Sequence, residues 1–210
     1  MMNGIVVVKI TASPHPAATS DSSAVALTSA ELSAAPKVGE PAPAFTAVDT
    51  RGASHSLAAY RGQWVVLEWV NHECPYTKKH YAALDGGPGN TQAMQRDYAN
   101  RVVWLSVVSS APGKQGFTTA AEADELTREK GAAPTAVVRD TAGTLGRLYG
   151  ARNTPQYAIV DPTGVLRYAG AIDDNPLVSL GDGRLISNGN FHPMVLALAF
   201  DALRPAIAHA

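Results

Sequence analysis

The sequence predicts an α/β protein with a central mixed β-sheet flanked by helices and preceded by an N-terminal extension. Short apolar runs rich in β-branched and aromatic residues alternate with helical stretches, which indicates buried strands between helices. An antiparallel hairpin and a last helix follow, so the sheet mixes strand directions. Residues 1–36 lack this alternation. We therefore assign residues 37–206 to one domain and residues 1–36 to an extension that is disordered or cleaved.

The extension is dominated by Ala, Ser, Thr and Pro, and residues 11–36 contain no aromatic residue, Lys or Arg. Such a composition buries too little apolar surface to offset the entropy lost on ordering. The small residues 33–35 suit a signal cleavage site, but Pro36 behind them fits poorly and the apolar run before them is short. The sequence leaves both a cytoplasmic and a periplasmic or secreted location open.

The first half of the domain contains two apolar runs that read as buried strands, each next to a helical stretch. Turn residues 50–52 separate two short segments, 41–49 and 54–57. The predicted strands are 64–70 and 101–108, and the predicted helices are 75–84 and 91–98.

The second half begins with a loop, 109–117, and continues with shorter elements. A capping box at Thr119 and Glu122 predicts a helix to Lys130, with Gly131 as its end. The sequence Asp-Pro-Thr-Gly at 161–164 predicts a hairpin turn. The remaining predicted elements are strands 136–138, 157–160 and 165–168, helices 144–149 and 192–203, and a long connection at 172–191.

Charge and cysteine content exclude several classes of protein. The net charge is −1, which does not suggest nucleic acid as a partner. No apolar run approaches the roughly 18 residues needed to span a bilayer. The single cysteine allows neither an internal disulfide nor a zinc site built on several cysteines.

That cysteine, Cys74, is the leading candidate for a reactive residue. It follows the apolar strand 64–70 and precedes Pro75, a residue favoured at the first position of a helix, so it occupies the N-cap. Free backbone N–H groups of the first turn and the Thr77 hydroxyl then favour the thiolate, the reactive form. Lys78 and Lys79 add positive charge nearby, whereas Glu73 opposes them. This context favours a nucleophile over a buried structural thiol.

His72 and His80 lie close to Cys74 in sequence, and these residue types are common metal ligands. Ligands on a helix usually stand three or four residues apart, and that spacing is absent. We therefore assign no metal and no other cofactor to the chain. His55 and His192 have no evident partner in the sequence. The Gly113-Lys114 pair lacks the remainder of a phosphate-binding loop.

Four segments resemble the thioredoxin fold, in particular its peroxiredoxin-like branch, the AhpC/TSA or redoxin group. Residues 66–77 resemble the active-site strand and helix, where a C-x-x-C motif opens the helix. Residues 149–164 resemble the second signature, in which a Thr with a cis peptide bond to Pro precedes a strand and an Asp-x-x-Gly turn. Residues 38–45 and 56–62 resemble the beginning of the AhpC/TSA domain. The resemblance implies a thioredoxin-like fold and an antioxidant oxidoreductase.

This chain departs from the family pattern at several positions. Thr77 replaces the second cysteine, so no dithiol cycle is possible within the motif. Peroxiredoxins have a Pro and a Thr before the peroxidatic cysteine, and Leu67 and Asn71 occupy those positions here. Pro155 occupies the position of the Arg that activates the peroxide in peroxiredoxins. The resemblance implies that Pro155 lies opposite Cys74 and that the Thr154 backbone pairs with an extended substrate. In place of the missing residues we expect Asn71 to donate a hydrogen bond to the substrate and Arg152 to supply positive charge.

The resemblance and the cysteine context together predict that Cys74, supported by Thr77 and Pro155, attacks a peroxide or a disulfide. An external thiol, glutathione or a thioredoxin-like protein, then resolves the oxidised sulfur. The alternative is a non-enzymatic binding module that holds copper or zinc through Cys74 and nearby histidines.

Overall fold

The computed structural model describes residues 35–82 and 89–172, together with the backbone of residues 177–179 and 185–187. The predicted helix 192–203 and the extension up to residue 34 lie outside the described residues. The described strands are β1 Thr46–Val48, β2 Ser54–Ser56, β3 Trp64–Trp69, β4 Val102–Val108, β5 Ala136–Arg139, β6 Gln156–Val160, β7 Leu166–Ala171, β8 Leu177–Ser179 and β9 Leu185–Ser187. The helices are α1 Pro75–Tyr81, α2 Asn90–Asp97, α3 Ala120–Glu129 and α4 Thr144–Leu148, with a 3-10 helix at Leu57–Tyr60.

Five strands form the central sheet in the order β5-β4-β3-β6-β7. Strand β3 is parallel to β4 and antiparallel to β6, so the sheet is mixed, as the sequence predicts. Every residue of β4 and of β6 is buried, and so is every residue of β3 after Trp64. Burial on both faces explains why these strands read as continuous apolar runs rather than as alternating ones.

The sheet separates two hydrophobic clusters, because successive side chains of a strand point to opposite faces. One cluster contains Val65, Leu67 and Trp69 of β3, and the other contains Val66. A third, smaller cluster lies near the ends of β3 and β4 and consists of Val70, Tyr81, Val108, Ala123 and Val137. This third cluster lies beside the turn that carries Cys74.

Several local predictions are confirmed. The hydroxyl of Thr119 accepts from the N–H of Glu122, and the Glu122 carboxylate accepts from the N–H of Thr119, as a capping box requires. Gly131 ends that helix with a φ of +59°. The Asp161 carboxylate accepts from the N–H groups of Thr163 and Val165, which holds the turn between β6 and β7.

Two local predictions need correction. The helix after Cys74 was expected to reach residue 84 but ends at Tyr81, because Ala82 has an extended backbone with a ψ of 134°. The connection at 172–191 was expected to be irregular, yet it contains the antiparallel pair β8 and β9. The backbone of β9 lies close to α1, the helix that Cys74 caps. Within the described residues, no helix is both long and apolar enough to cross a membrane.

Candidate active site

Cys74 is the N-cap of α1, and Pro75 is the first residue of that helix, as the sequence predicts. The chain leaves the end of β3 and makes a short turn in which the N–H of Cys74 donates to the carbonyl oxygen of Asn71 at 2.9 Å. The side chain of Cys74 is partly exposed. A sulfur at the end of a central strand, partly open to solvent, has access to a substrate.

The thiol of Cys74 donates a hydrogen bond to the carbonyl oxygen of Thr154 at 3.1 Å. Burial of the sulfur raises its pKa, but hydrogen bonds outweigh burial, and the net pKa lies below the ordinary value. These bonds come from the Thr154 side chain, from the N–H groups of Thr77 and Tyr76, and from the Thr77 hydroxyl. The Thr77 side chain is fully buried, and its hydroxyl has no other partner within hydrogen-bond distance in the described residues, so it is available to the nearby sulfur. The site therefore favours thiolate, through α1 and the loop before β6.

Pro155 is buried, and its peptide bond with Thr154 is cis, in agreement with the sequence prediction. The contact between the sulfur and Thr154 places this pair next to Cys74, although they are distant in sequence. The two segments that resemble the thioredoxin signatures therefore meet in space. The roles of Thr154 and Pro155 toward a substrate stay predictions.

The side chain of Asn71 stabilises the turn before Cys74. Its side-chain oxygen accepts from the N–H of Glu73 at 2.9 Å, and Glu73 in turn accepts from the N–H of Gly116 at 3.0 Å. These bonds tie the Cys74 turn to the loop 109–118. Arg152 lies two residues before Thr154, and its backbone N–H donates to the Gln156 side chain. The Arg152 residue is exposed, so its guanidinium has access to solvent.

Sequence analysis did not single out Glu68, which is fully buried in β3 six positions before Cys74. Five side chains donate hydrogen bonds to its carboxylate. One oxygen accepts from Tyr81 at 2.9 Å and from Tyr157 at 3.1 Å. The other accepts from the Trp104 indole at 2.8 Å and from Ser106 and Gln95, both at 3.2 Å. The signal in the sequence was a single charged residue inside the run Trp64-Val-Val-Leu-Glu-Trp-Val70.

Burial raises the pKa of Glu68, and the hydrogen bonds from Trp104, Tyr81, Tyr157 and Ser106 lower it without cancelling the rise. Burying a carboxyl group costs free energy unless hydrogen bonds satisfy its oxygens. Here both oxygens accept such bonds, as buried polar groups normally do. The network joins β3, β4, β6, α1 and α2, so it fixes the strand that leads to Cys74.

His72 and His55 have other contacts in the described part of the chain. Among the residues that the structure describes, no group of three or more His, Cys, Asp or Glu side chains is arranged to hold a metal ion. The His72 ring instead packs edge-on against the Tyr81 ring, with 4.8 Å between centroids. Burial lowers the pKa of His72 to about 4, and Lys130 adds to the effect. His55, expected to lack a partner, contacts Asp49 at 3.1 Å and also Tyr60.

A sequence model of the AhpC/TSA family matches residues 38–169, well over half of the chain. The chain belongs to the AhpC/TSA family. As a redoxin it is a thiol oxidoreductase, and the family implies thiol and peroxide substrates. No curated protein sequence matches this AhpC/TSA member.

Solved structures agree with this assignment at the level of the fold. A hypothetical protein from Sinorhizobium meliloti 1021 is 20% identical, with a TM-score of 0.62 over 80% of this chain and 85% of its own. An uncharacterised conserved protein from Geobacillus kaustophilus is 19% identical, with a TM-score of 0.63 over 80% and 82%. An exposed lipoprotein thioredoxin from Streptococcus pneumoniae is 19% identical, with a TM-score of 0.50 over 76% and 99%. The redoxin chain therefore has a thioredoxin-like fold.

Proposed function

We propose that this redoxin is a monothiol oxidoreductase in which Cys74 is the nucleophile and an external thiol completes the cycle. The observation that carries the proposal is the position of the sulfur at the N-cap of α1, with hydrogen bonds that lower its pKa. A thiolate is the attacking species in both disulfide exchange and peroxide reduction. The motif holds Thr77 where a second cysteine would stand.

The first step with a disulfide R–S–S–R begins with attack of the Cys74 thiolate on one sulfur. A Cys74–S–S–R bond forms, the original S–S bond breaks, and the leaving RS⁻ takes a proton from solvent. An external thiolate R′S⁻ then attacks the mixed disulfide, which releases Cys74 as thiolate and forms R–S–S–R′. Glutathione or a thioredoxin-like protein supplies R′S⁻.

The first step with a peroxide is attack of the thiolate on one oxygen of R–O–O–H. The O–O bond breaks, Cys74 becomes a sulfenic acid, and the leaving RO⁻ takes a proton to give ROH. One external thiol converts the sulfenic acid to a mixed disulfide with release of water, and a second external thiol restores Cys74. Asn71 and Arg152 are the residues we assign to the peroxide or to the thiol partner.

The residues around Cys74 support disulfide exchange better than they support peroxide reduction. Pro155 stands where the peroxiredoxin pattern places an activating Arg, and Asn71 stands where it places Thr. Asn71 is already engaged with the N–H of Glu73, and Arg152 is exposed rather than fixed beside the sulfur. The carbonyl of Thr154 is within 3.1 Å of the sulfur, a suitable place for the backbone of an extended disulfide substrate.

Intact-mass spectrometry tests the proposal on wild type and on the Cys74→Ser variant. Oxidised glutathione should add one glutathione to wild type only, and dilute peroxide should add one oxygen to wild type only. Excess peroxide should add a second oxygen, because a lone cysteine has no internal partner. Rates measured in parallel should favour the glutathione adduct. The absence of both adducts on wild type would remove Cys74 as a redox nucleophile.

A further inference from the structure

Asp49, His55 and Tyr60 form a chain of hydrogen-bonded side chains that the chemistry of Cys74 does not use. Asp49 follows β1, His55 lies on β2, and Tyr60 is the last residue of the 3-10 helix after β2. Nε2 of His55 lies 3.1 Å from a carboxylate oxygen of Asp49, and Nδ1 of the same ring is hydrogen-bonded to the Tyr60 hydroxyl. The His55 and Asp49 side chains are only 13% and 8% exposed. The imidazole therefore joins a shielded carboxylate to a phenol.

The carboxylate of Asp49 determines which nitrogen of His55 carries the proton. Burial raises the pKa of Asp49, but hydrogen bonds from His55 and from the N–H groups of Ala53 and Arg51 outweigh burial, so the pKa lies below its ordinary value. An ionised carboxylate only accepts hydrogen bonds, so Nε2 is the protonated nitrogen of neutral His55. Nδ1 then accepts from the Tyr60 hydroxyl. His55 is therefore a base for the phenol proton, as the His of a Ser-His-Asp triad is for the Ser proton.

Tyr60 reaches this base from a fixed position and keeps its proton. The Ser56 hydroxyl accepts from the N–H of Ala59 at 3.2 Å and caps the 3-10 helix that carries Tyr60. Tyr60 packs against the hydrophobic cluster that contains Leu67, and it remains partly exposed. Burial, and then the charge of Asp49, raise the pKa of Tyr60. At neutral pH the residue is therefore a phenol rather than a phenolate.

Loss of one electron would change the acidity of this phenol. A phenol that loses an electron becomes a radical cation, which is a far stronger acid than the phenol. A base that is already hydrogen-bonded to the hydroxyl can take the proton in the same step, so the free radical cation need not form. The positive charge that results on His55 lies beside Asp49, which stabilises it. The geometry is therefore suited to coupled loss of an electron and a proton from Tyr60.

Other tyrosine hydroxyls in the described residues have different surroundings. Those of Tyr149 and Tyr168 donate to backbone carbonyl oxygens, which are very weak bases. Those of Tyr81 and Tyr157 donate to the carboxylate in β3, but both side chains are buried. Compared with these four, Tyr60 combines an imidazole acceptor with partial exposure.

We propose that Tyr60 is a one-electron donor that reduces peroxyl radicals, with His55 as the proton acceptor and Asp49 as the group that orients and stabilises the His55 ring. The partial exposure of Tyr60 gives access to a small diffusing oxidant, and phenols are good hydrogen donors to peroxyl radicals. This activity is separate from the thiol chemistry of Cys74 and does not depend on it.

The reaction balances in two steps. The peroxyl radical ROO• takes one electron from Tyr60 and becomes ROO⁻, while the phenol proton moves to Nδ1 of His55 and a neutral phenoxyl radical remains. The proton on His55 then passes through solvent to ROO⁻, which gives ROOH. An enediol reductant such as ascorbate returns one electron and one proton to Tyr60. The net reaction converts ROO• and ascorbate to ROOH and the ascorbyl radical.

Pulse radiolysis with trichloromethylperoxyl radicals tests the proposal on the full chain. The chain carries Cys74→Ser, because a thiol is itself a one-electron donor. A phenoxyl radical should appear by optical absorption and by EPR, and it should form more slowly in heavy water because a proton moves in the same step. Ascorbate should shorten its lifetime in proportion to the ascorbate concentration. Indole radicals without a phenoxyl radical, or equal rates in light and heavy water, would overturn the proposal without any further variant.

Three variants locate the donor and the base. Tyr60→Phe should lose most of the phenoxyl signal. Tyr168→Phe, which removes a half-buried phenol bonded to a carbonyl oxygen, is the matched control and should keep that signal. His55→Gln can still donate to Asp49 and accept from Tyr60, but its amide cannot take up the proton, so the phenoxyl radical should form about tenfold more slowly or less than that. A full signal in Tyr60→Phe, or an unchanged rate in His55→Gln, overturns the proposal.

Discussion

The thiol of Cys74 donates to the backbone carbonyl of Thr154 across 3.1 Å, although the two residues are 80 positions apart in the chain. This contact requires the proton, so it favours the neutral thiol. The Thr154 side chain, the N–H groups of Thr77 and Tyr76 and the Thr77 hydroxyl favour the thiolate instead. Loss of the proton therefore exchanges one set of contacts for another and leaves the carbonyl of Thr154 without this donor.

The first prediction concerns the pKa of Cys74. The rate of alkylation by iodoacetamide should follow a titration below the ordinary thiol range, because hydrogen bonds outweigh burial at this sulfur. Thr77→Val removes the hydroxyl and keeps the shape, so its titration should move to higher pH, and alkylation at neutral pH should slow several-fold. Thr144→Val, an exposed residue in the first turn of α4, is the matched control and should match wild type. If the titration of Thr77→Val coincides with that of wild type, the Thr77 hydroxyl does not stabilise the thiolate.

The second prediction concerns substitution of Glu68. Glu68→Leu leaves five donors without an acceptor and should lower the free energy of unfolding by about 3 kcal/mol or more. Glu68→Gln should be tolerated, because its oxygen can serve Trp104, Ser106 and Gln95 while its amide donates to the hydroxyls of Tyr81 and Tyr157, which can rotate to accept. Urea unfolding compares the two variants. Equal destabilisation by Leu and Gln would show that the donors need the charge itself.

The same residue predicts a dependence of stability on pH. Because burial raises the pKa of Glu68, the folded state holds its proton more tightly than the unfolded state. The stabilisation is complete below the unfolded pKa of about 4.5 and is lost as pH rises through the folded pKa. Glu68→Gln should lack this loss, whereas Glu129→Gln, an exposed control, should keep it. Urea unfolding at a series of pH values from 4 upward measures this loss of stability. Identical pH profiles for wild type and Glu68→Gln would contradict the prediction.

Features formed by residues that are neighbours in the sequence were predictable, whereas features formed by residues far apart in the sequence were not. The position of Cys74 was predictable because a buried strand, a cysteine and a proline at the first helical position are consecutive. The Glu68 network was not, because its donors come from four other elements. Ser106 and Tyr157 face Glu68 only through the register of β4 and β6 on β3, which no local pattern specifies.

The fourth prediction concerns His72, whose pKa burial lowers to about 4. The unfolded state takes up a proton near pH 6.5, while folded His72 stays neutral until about pH 4. Stability is therefore lost as pH falls from 6.5 to 4, by roughly 3 kcal/mol at most for this shift. His72→Phe should remove that slope, and Lys130→Met should reduce it slightly. Thermal unfolding between pH 4 and 7 compares them, and an unchanged slope in His72→Phe would contradict burial of a neutral ring.

The last prediction separates backbone strain from contact with the Cys74 turn, by means of two glycines in one loop. Gly113 and Gly116 have φ values of +75° and +78°, so alanine at either should cost about 1 kcal/mol of stability. A Cβ at Gly113 meets nothing within 4 Å, whereas a Cβ at Gly116 lies 2.5 Å from the Asn71 side chain. Gly116→Ala must therefore displace Asn71 or break the bond from Gly116 to Glu73, and Gly113→Ala need not.

Both variants should lose similar stability from strain, with a further loss for Gly116→Ala, measured by urea unfolding. Only Gly116→Ala should also change the alkylation rate of Cys74, because Asn71 accepts from the N–H of Cys74 and orients the turn. Gly113→Ala controls for strain in the same loop and should alkylate at the wild-type rate. If the two variants alkylate alike, the loop 109–118 does not position the nucleophile, and the bond between Glu73 and Gly116 only holds the loop in place.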